Sequence, residues 1–140
     1  MTRICELQAG TITRRYPTLR IASLRLHYSV PERAYALKPN AVRTSKDSFD
    51  LWGYVQEDSA ADAFLLAITC DTTSWPSKHE AFLVVAPSSA ADKDSAELKR
   101  EYYPDIPVRD GFEITGRRSF FDCRKAEKLL GWVHRDVVPE

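Results

Sequence analysis

The sequence predicts an alternating α/β protein. Two short apolar-rich runs, Leu19 to Leu26 and Glu80 to Ala86, read as strands, and segments of helical periodicity lie before, between and after them. No internal repeat organises the chain. At 140 residues it has the length of one domain, so a second independent domain is not expected. Two convincing strands are few for a parallel sheet, which buries both faces of each strand, and the count suggests part of a larger sheet.

Residues 2 to 16 place Ile4, Leu7, Ile12 and Tyr16 near one face of a helix, and Pro17 closes it. The run that follows, Leu19 to Leu26, is bounded by turn signals and suits a strand of a parallel sheet. From Pro31 to Asp50 the chain mixes Pro, Lys, Asn, Ser and Asp, which predicts a long exposed connection with room for a short helical turn. Ser59 to Thr69 reads as a helix, with Ser59 and Asp62 spaced as a capping box and Phe64, Leu65, Ala67 and Ile68 as the buried side. Asp71 to Lys78 breaks it. The β-branched content of Glu80 to Ala86 marks the second strand, stopped by Pro87. Asp94-Ser95-Ala96-Glu97 opens another helix, on which Leu98 and Tyr102 lie one turn apart, and Pro104 ends it. Ile106 to Val108 and Phe112 to Ile114 read as short extended pieces. A last helix runs from an Asp122 cap through Leu130, with Gly131 as its C-cap and Trp132 folding back.

Composition excludes more than it proposes. Lys plus Arg and Asp plus Glu number 20 each, so no net field draws nucleic acid or an anionic membrane surface. No run approaches the ~20 apolar residues of a membrane span or the length of a signal peptide. A chain outside membranes and resident in the cytoplasm is the expectation. Cys5, Cys70 and Cys123 are odd in number and far apart, which suits reduced thiols in the core better than disulfides or zinc. His27, His79 and His134 are equally scattered, read as surface imidazoles, and no metal site is expected.

Candidate chemistry is sparse. No G-x-G-x-x-G follows a strand and no G-x-S-x-G elbow is present. The acidic pairs Glu57-Asp58, Asp92-Asp94 and Asp105-Asp110 could supply an acid and a base, but read better as surface charge. Of the aromatic sets Trp52-Tyr54, Tyr102-Tyr103 and Phe120-Phe121, core packing is the ordinary role. Trp52 and Tyr54 are the strongest candidates for lining a pocket, because they end a polar loop.

Three stretches resemble the extended short-chain dehydrogenase/reductases, the NAD-dependent epimerase/dehydratase family. The first is RRYPTLRIASLRLHYSVP, ending at Pro31, similar to the basic Tyr-Pro helix end and S-L-R strand of that family. The second is Leu51-Trp52-Gly53-Tyr54-Val55 with the helix that begins Ala60-Ala61-Asp62-Ala63-Phe64. The third and most specific, Asp122-Cys123-Arg124-Lys125-Ala126-Glu127-Lys128-Leu129-Leu130-Gly131-Trp132, resembles the closing D-x-x-K-A-x-x-L-L-G-W helix.

The resemblance implies the C-terminal part of a Rossmann-type extended reductase: an incomplete parallel sheet plus a small substrate-binding subdomain. Residues 1–31 then form the last Rossmann helix and strand, and residues 32–140 the substrate-binding region, in a single partial domain. It implies NAD(P) as the family's cofactor, with His27, Tyr28 and Val30 in the loop that passes the nicotinamide, and Trp52 and Tyr54 beside the substrate. Glu6 resembles the glutamate that follows the catalytic lysine by four residues. The lysine position then falls on Thr2 and the catalytic tyrosine before Met1, so the Tyr-x-x-x-Lys pair is missing and no cofactor is expected on this chain alone. Ser59, beside Asp58, stands where the family usually carries an aspartate.

Three functions fit. The leading one is a truncated, epimerase/dehydratase-like protein that keeps the substrate-binding part without autonomous redox activity. A cofactor-free isomerase or cyclase of a biosynthetic pathway would use Tyr54, Asp58 and His27 as acid or base. A non-catalytic module would pair with a full-length reductase chain, or with itself, through an open sheet edge. A small-molecule substrate is compatible with the first two.

Overall fold

A computed structural model describes residues 2–36 and 47–135. In chain order the elements are α1 (Thr2–Arg15), β1 (Ile21–Leu26), β2 (Tyr28–Val30), α2 (Arg33–Ala36), a 3-10 turn (Asp47–Asp50), β3 (Tyr54–Gln56), α3 (Glu57–Thr69), β4 (His79–Val84), α4 (Ser95–Tyr102) and α5 (Arg124–Leu130). The protein is mixed α/β. The expected connection from Pro31 to Asp50 contributes α2 and the 3-10 turn, and its middle, 37–46, lies outside the described residues.

β1 and β4 pair in parallel, from Ile21 opposite His79 to Leu26 opposite Val84. A second parallel pair joins β2 to β3, with Tyr28 opposite Tyr54 and Val30 opposite Gln56. Each is a sheet of two strands among the described residues. His27 alone separates β1 from β2, so the chain steps from one sheet to the other within a single residue.

Alternation along β1 and β4 gives the first sheet two different faces. Ala22, Leu24, Phe82 and Val84 pack in one apolar cluster with Ala60 and Ala63 of α3 and Ala126 and Leu130 of α5. The opposite face mixes Ile21, Ala81 and Leu83 with Ser23, Arg25 and His79 and carries α1. Arg25 donates to both Glu6 carboxylate oxygens at 2.6 and 2.7 Å, and Ser23 Oγ lies 2.8 Å from His79 Nε2. A second cluster, built from Val30, Trp52, Tyr54, Ala86, Ala90 and Leu98, lies around the second sheet.

The helix faces depart from hydrophobic patterning. In α1 the residues turned inward are Ala9 and Thr13, flanked by half-buried Glu6 and Gly10. At about 100° per residue this arc lies opposite Ile4 and Leu7, which are 62% and 65% exposed. In α3 the expected buried side is wrong in the same sense. Phe64, Leu65 and Ile68 are exposed, Ala67 is half-buried, and Ser59, Ala60 and Ala63 face the core. Small residues let each helix approach its sheet closely, and that proximity outweighs burial of the larger side chains.

The capping box expected at Ser59 and Asp62 is also corrected. α3 begins two residues earlier, Gln56 is its N-cap without a side-chain hydrogen bond, and Ser59 lies inside the first turn. Its hydroxyl accepts from the Arg135 amide at 3.0 Å, while Asp62 takes the Arg135 guanidinium in two bonds of 2.6 Å. At α4 the expectation holds: Asp94 Oδ1 accepts from the amides of Ala96 and Glu97 at 2.8 and 3.3 Å. At α5 the expected cap is corrected: Cys123 is the N-cap without a side-chain cap bond, and Asp122, one residue earlier, accepts the Arg124 amide at 3.1 Å. Gly131 ends it at φ 72°, a left-handed conformation that costs glycine least. Trp132 then folds back, buried, and its indole N–H donates to the Ser59 carbonyl at 2.8 Å. Ile106 to Val108 and Phe112 to Ile114 pair in no strand and run as irregular chain between turns.

Candidate functional site

The chain from Asp47 to Trp52 turns sharply to enter β3. Leu51 and Trp52 both have φ of 49°, the left-handed region that costs residues with a Cβ roughly 1–2 kcal/mol each. Main-chain bonds hold the turn: Leu51 N–H to Ser48 O at 3.1 Å, Gly53 N–H to Asp50 O at 3.0 Å, and Ala90 N–H to Trp52 O at 2.8 Å. The Tyr103 hydroxyl donates to the Ser48 carbonyl and ties the turn to the end of α4. This turn forms one side of an apolar cleft of about 430 Å³.

The 3-10 turn and its exit contribute Phe49 and Leu51 to the cleft, α4 and its end Lys99 and Tyr103, and the connection after Pro104 contributes Ile106, Phe112 and Ile114. Phe120 and Asp122 complete it from the approach to α5. Main-chain pairing stitches that approach to the segment after β4, through Ser89 N–H to Arg117 O at 2.6 Å and Ser119 N–H to Pro87 O at 2.9 Å. The cleft therefore sits between braced segments. Its size falls within the ~300–1,000 Å³ of sites for small organic ligands.

Charge is concentrated at one edge. Asp122 accepts Arg124 Nε and Nη2 at 2.9 and 2.7 Å, and Arg109 stands 3.8 Å away. The Arg124 hydrogen bonds hold the Asp122 carboxyl down at about 2, against the opposing pull of burial. Arg109 is 80% exposed at its side chain, and Lys99 Nζ donates to the Pro104 carbonyl at 2.9 Å. Burial pushes the neighbouring Cys123 thiol up to about 11, and its Sγ donates to Val85 O at 3.5 Å, so it is a neutral packing group and not a nucleophile.

The residues singled out from sequence occupy separate neighbourhoods. Tyr54 is fully buried, with its hydroxyl 2.8 Å from Ser88 Oγ, and Trp52 is buried against Tyr102 and Phe120. Val30 is buried in the same cluster, whereas Tyr28 is exposed opposite Tyr54 in the strand pair. His27 is half-buried, its ring centroid 4.2 Å from that of Phe121, and burial lowers its pKa against a weaker opposite pull from Asp50. Asp58 is exposed, accepts the Ser59 amide at 2.7 Å and lies 3.4 Å from Arg135. Gly53 sits where a Cβ would come within 2.9 Å of His27 Nδ1 and of Phe121 Cε2, so close packing of these rings requires glycine there. His79 and Ser23 meet beneath α1, Cys5 is exposed and not a core thiol, and His134 is buried and not a surface imidazole.

Sequence reasoning missed most of the cleft. Tyr103 and Phe120 belonged to aromatic pairs read as core, and Ile106 and Phe112 to pieces read as extended. The available signal was the density of apolar side chains in a stretch rich in turn residues. No family model, curated protein or solved structure matches the chain. Among the described residues no helix is long and apolar enough to cross a membrane, and no group of three or more His, Cys, Asp or Glu is placed to hold a metal ion.

Proposed function

We propose that this chain is the substrate-binding part of a reductase of the epimerase/dehydratase type, that it takes a small molecule in the cleft, and that by itself it neither holds a dinucleotide nor transfers hydride. The observation that carries the reading is a ligand-sized apolar cleft that shares Tyr103 and Phe120 with the second apolar cluster. Contacts among the three stretches that resemble that family support it. His27 from the first, Gly53 from the second and Phe121, next to the third, pack together, and Trp132 of the third donates to Ser59, in the helix of the second. Glu6 and Arg25, at the glutamate and S-L-R positions, form a two-bond pair. The 140 residues contain neither the glycine-rich loop nor a Tyr-x-x-x-Lys pair. Titration with NADH, followed by nucleotide fluorescence, is expected to give no saturable binding; saturation in the micromolar range would overturn the reading.

A pairing module is the second reading, favoured by the exposed Ile4 and Leu7 on α1 and by β1 having a single partner among the described residues. A cofactor-free isomerase or cyclase draws less support, because Tyr54, Asp58 and His27 are engaged by Ser88, Arg135 and Phe121 respectively.

A further inference from the structure

We propose that the cleft takes an aromatic carboxylate, its ring system among Phe49, Tyr103, Phe112 and Phe120 and its carboxylate on Arg109 at the edge. The proposal deepens the ligand-binding half of the proposed function and rests on it. Four aromatic side chains from four separate segments converge on the cleft, and Leu51, Ile106 and Ile114 fill between them. Such a wall favours flat apolar rings, which pack edge to face or offset against it. A polyhydroxylated ligand such as a sugar finds few partners there, and each hydroxyl buried without one is penalised.

Electrostatics selects the sign of the polar end. Two cations and one carboxylate line the cleft: Lys99, Arg109 and Asp122. Asp122 is already satisfied by three bonds from Arg124, and Lys99 is engaged by the Pro104 carbonyl. Among the described residues Arg109 has only the long 3.8 Å contact with Asp122, and it stands in solvent, so its guanidinium can turn to a ligand carboxylate without losing a close bond. Asp105, Asp110 and Glu113 of the same connection are exposed and do not line the cleft. A third cation, Arg118, lies over the Phe112 ring at 5.4 Å and adds positive field beside it.

The test is calorimetric titration of the whole chain with naphthoate and with the neutral naphthamide, in the wild type and in the exposed-site variants Arg109→Gln and Val108→Glu. Naphthoate is expected to bind about fivefold tighter than naphthamide, as for an exposed ion pair. Arg109→Gln should erase that preference with naphthamide affinity unchanged, and Val108→Glu, which sets a carboxylate in the cleft, should weaken both ligands. Equal affinity for acid and amide in the wild type, or a preference that survives Arg109→Gln, overturns the carboxylate assignment. Binding that Val108→Glu leaves intact lies elsewhere and overturns the site. If neither naphthalene binds, this proposal fails while the proposed function stands, because that reading fails only by binding NADH.

Discussion

His27 shows how one side chain joins packing to pH. Its ring packs tilted against Phe121 beside Gly53, and burial disfavours the charged form, lowering its pKa from the ordinary value of 6.5. The unfolded chain therefore binds the His27 proton first as pH falls, so the contribution is full above about 6.5 and is lost on acidification through the lower folded value. Urea midpoints are expected to drop between about pH 7.5 and pH 5.5, and to drop less in His27→Gln. Equal drops in the two proteins would show that His27 carries none of the effect. Arg33 is the unbalanced side chain at this scale: its Nε and Nη2 are buried without a hydrogen-bond partner among the described residues, in a helix of four residues packed near β2.

At the scale of elements, the longer helices and the strands β1 and β4 were legible, whereas the short strand pair β2 and β3 and the helix faces were not. The strand at β4, the Asp94 cap of α4 and the Gly131 end of α5 follow from local chemistry, where one residue satisfies named amides or adopts a special dihedral. Burial is a property of the neighbour as well as of the helix. The apolar periodicity of Phe64, Leu65 and Ile68 was genuine, yet α3 turns Ser59, Ala60 and Ala63 to the core with Leu66 half-buried beside them, and Ala63 is wholly enclosed. Ala63→Leu is therefore expected to cost about 1–3 kcal/mol by overpacking. Ile68→Lys, at a position 83% exposed, should stay within about 0.5 kcal/mol. Chemical denaturation of the two variants checks this, and the reverse order of sensitivity would mean that α3 buries its large residues. The cleft escaped sequence reasoning for a related reason: its wall comes from segments between Phe49 and Asp122 that share no motif and meet only in the folded chain.

For the whole molecule the issue is apolar surface left uncovered on both sides of the first sheet. α1 presents Ile4 and Leu7 on one side, and α3 presents Phe64, Leu65 and Ile68 on the other. Surfaces of this kind mark association sites in soluble proteins or promote aggregation. Sedimentation is expected to show self-association of the wild-type chain, diminished in the doubly substituted Ile4→Glu, Leu7→Lys protein. A wild type that stays monomeric at high concentration would mean that these faces tolerate water and would remove the pairing module from consideration. The cleft opens elsewhere, around the second apolar cluster, through Tyr103 and Phe120, so association through α1 leaves it accessible.

The clamp on the start of α3 bears on when, during synthesis, the protein can finish folding. Arg135 binds Ser59 and Asp62, Trp132 holds the Ser59 carbonyl, and His134 Nε2 lies 3.4 Å from the Gln56 amide, all across more than seventy positions of chain. A nascent chain that has emerged only as far as β4 holds the sheet strands but not their fastener. Contacts this distant in sequence form late and slow the search for the native state. Trp132 must leave the ribosome before the helix at Glu57 is secured, so this part of the fold closes only after α5 has been synthesised.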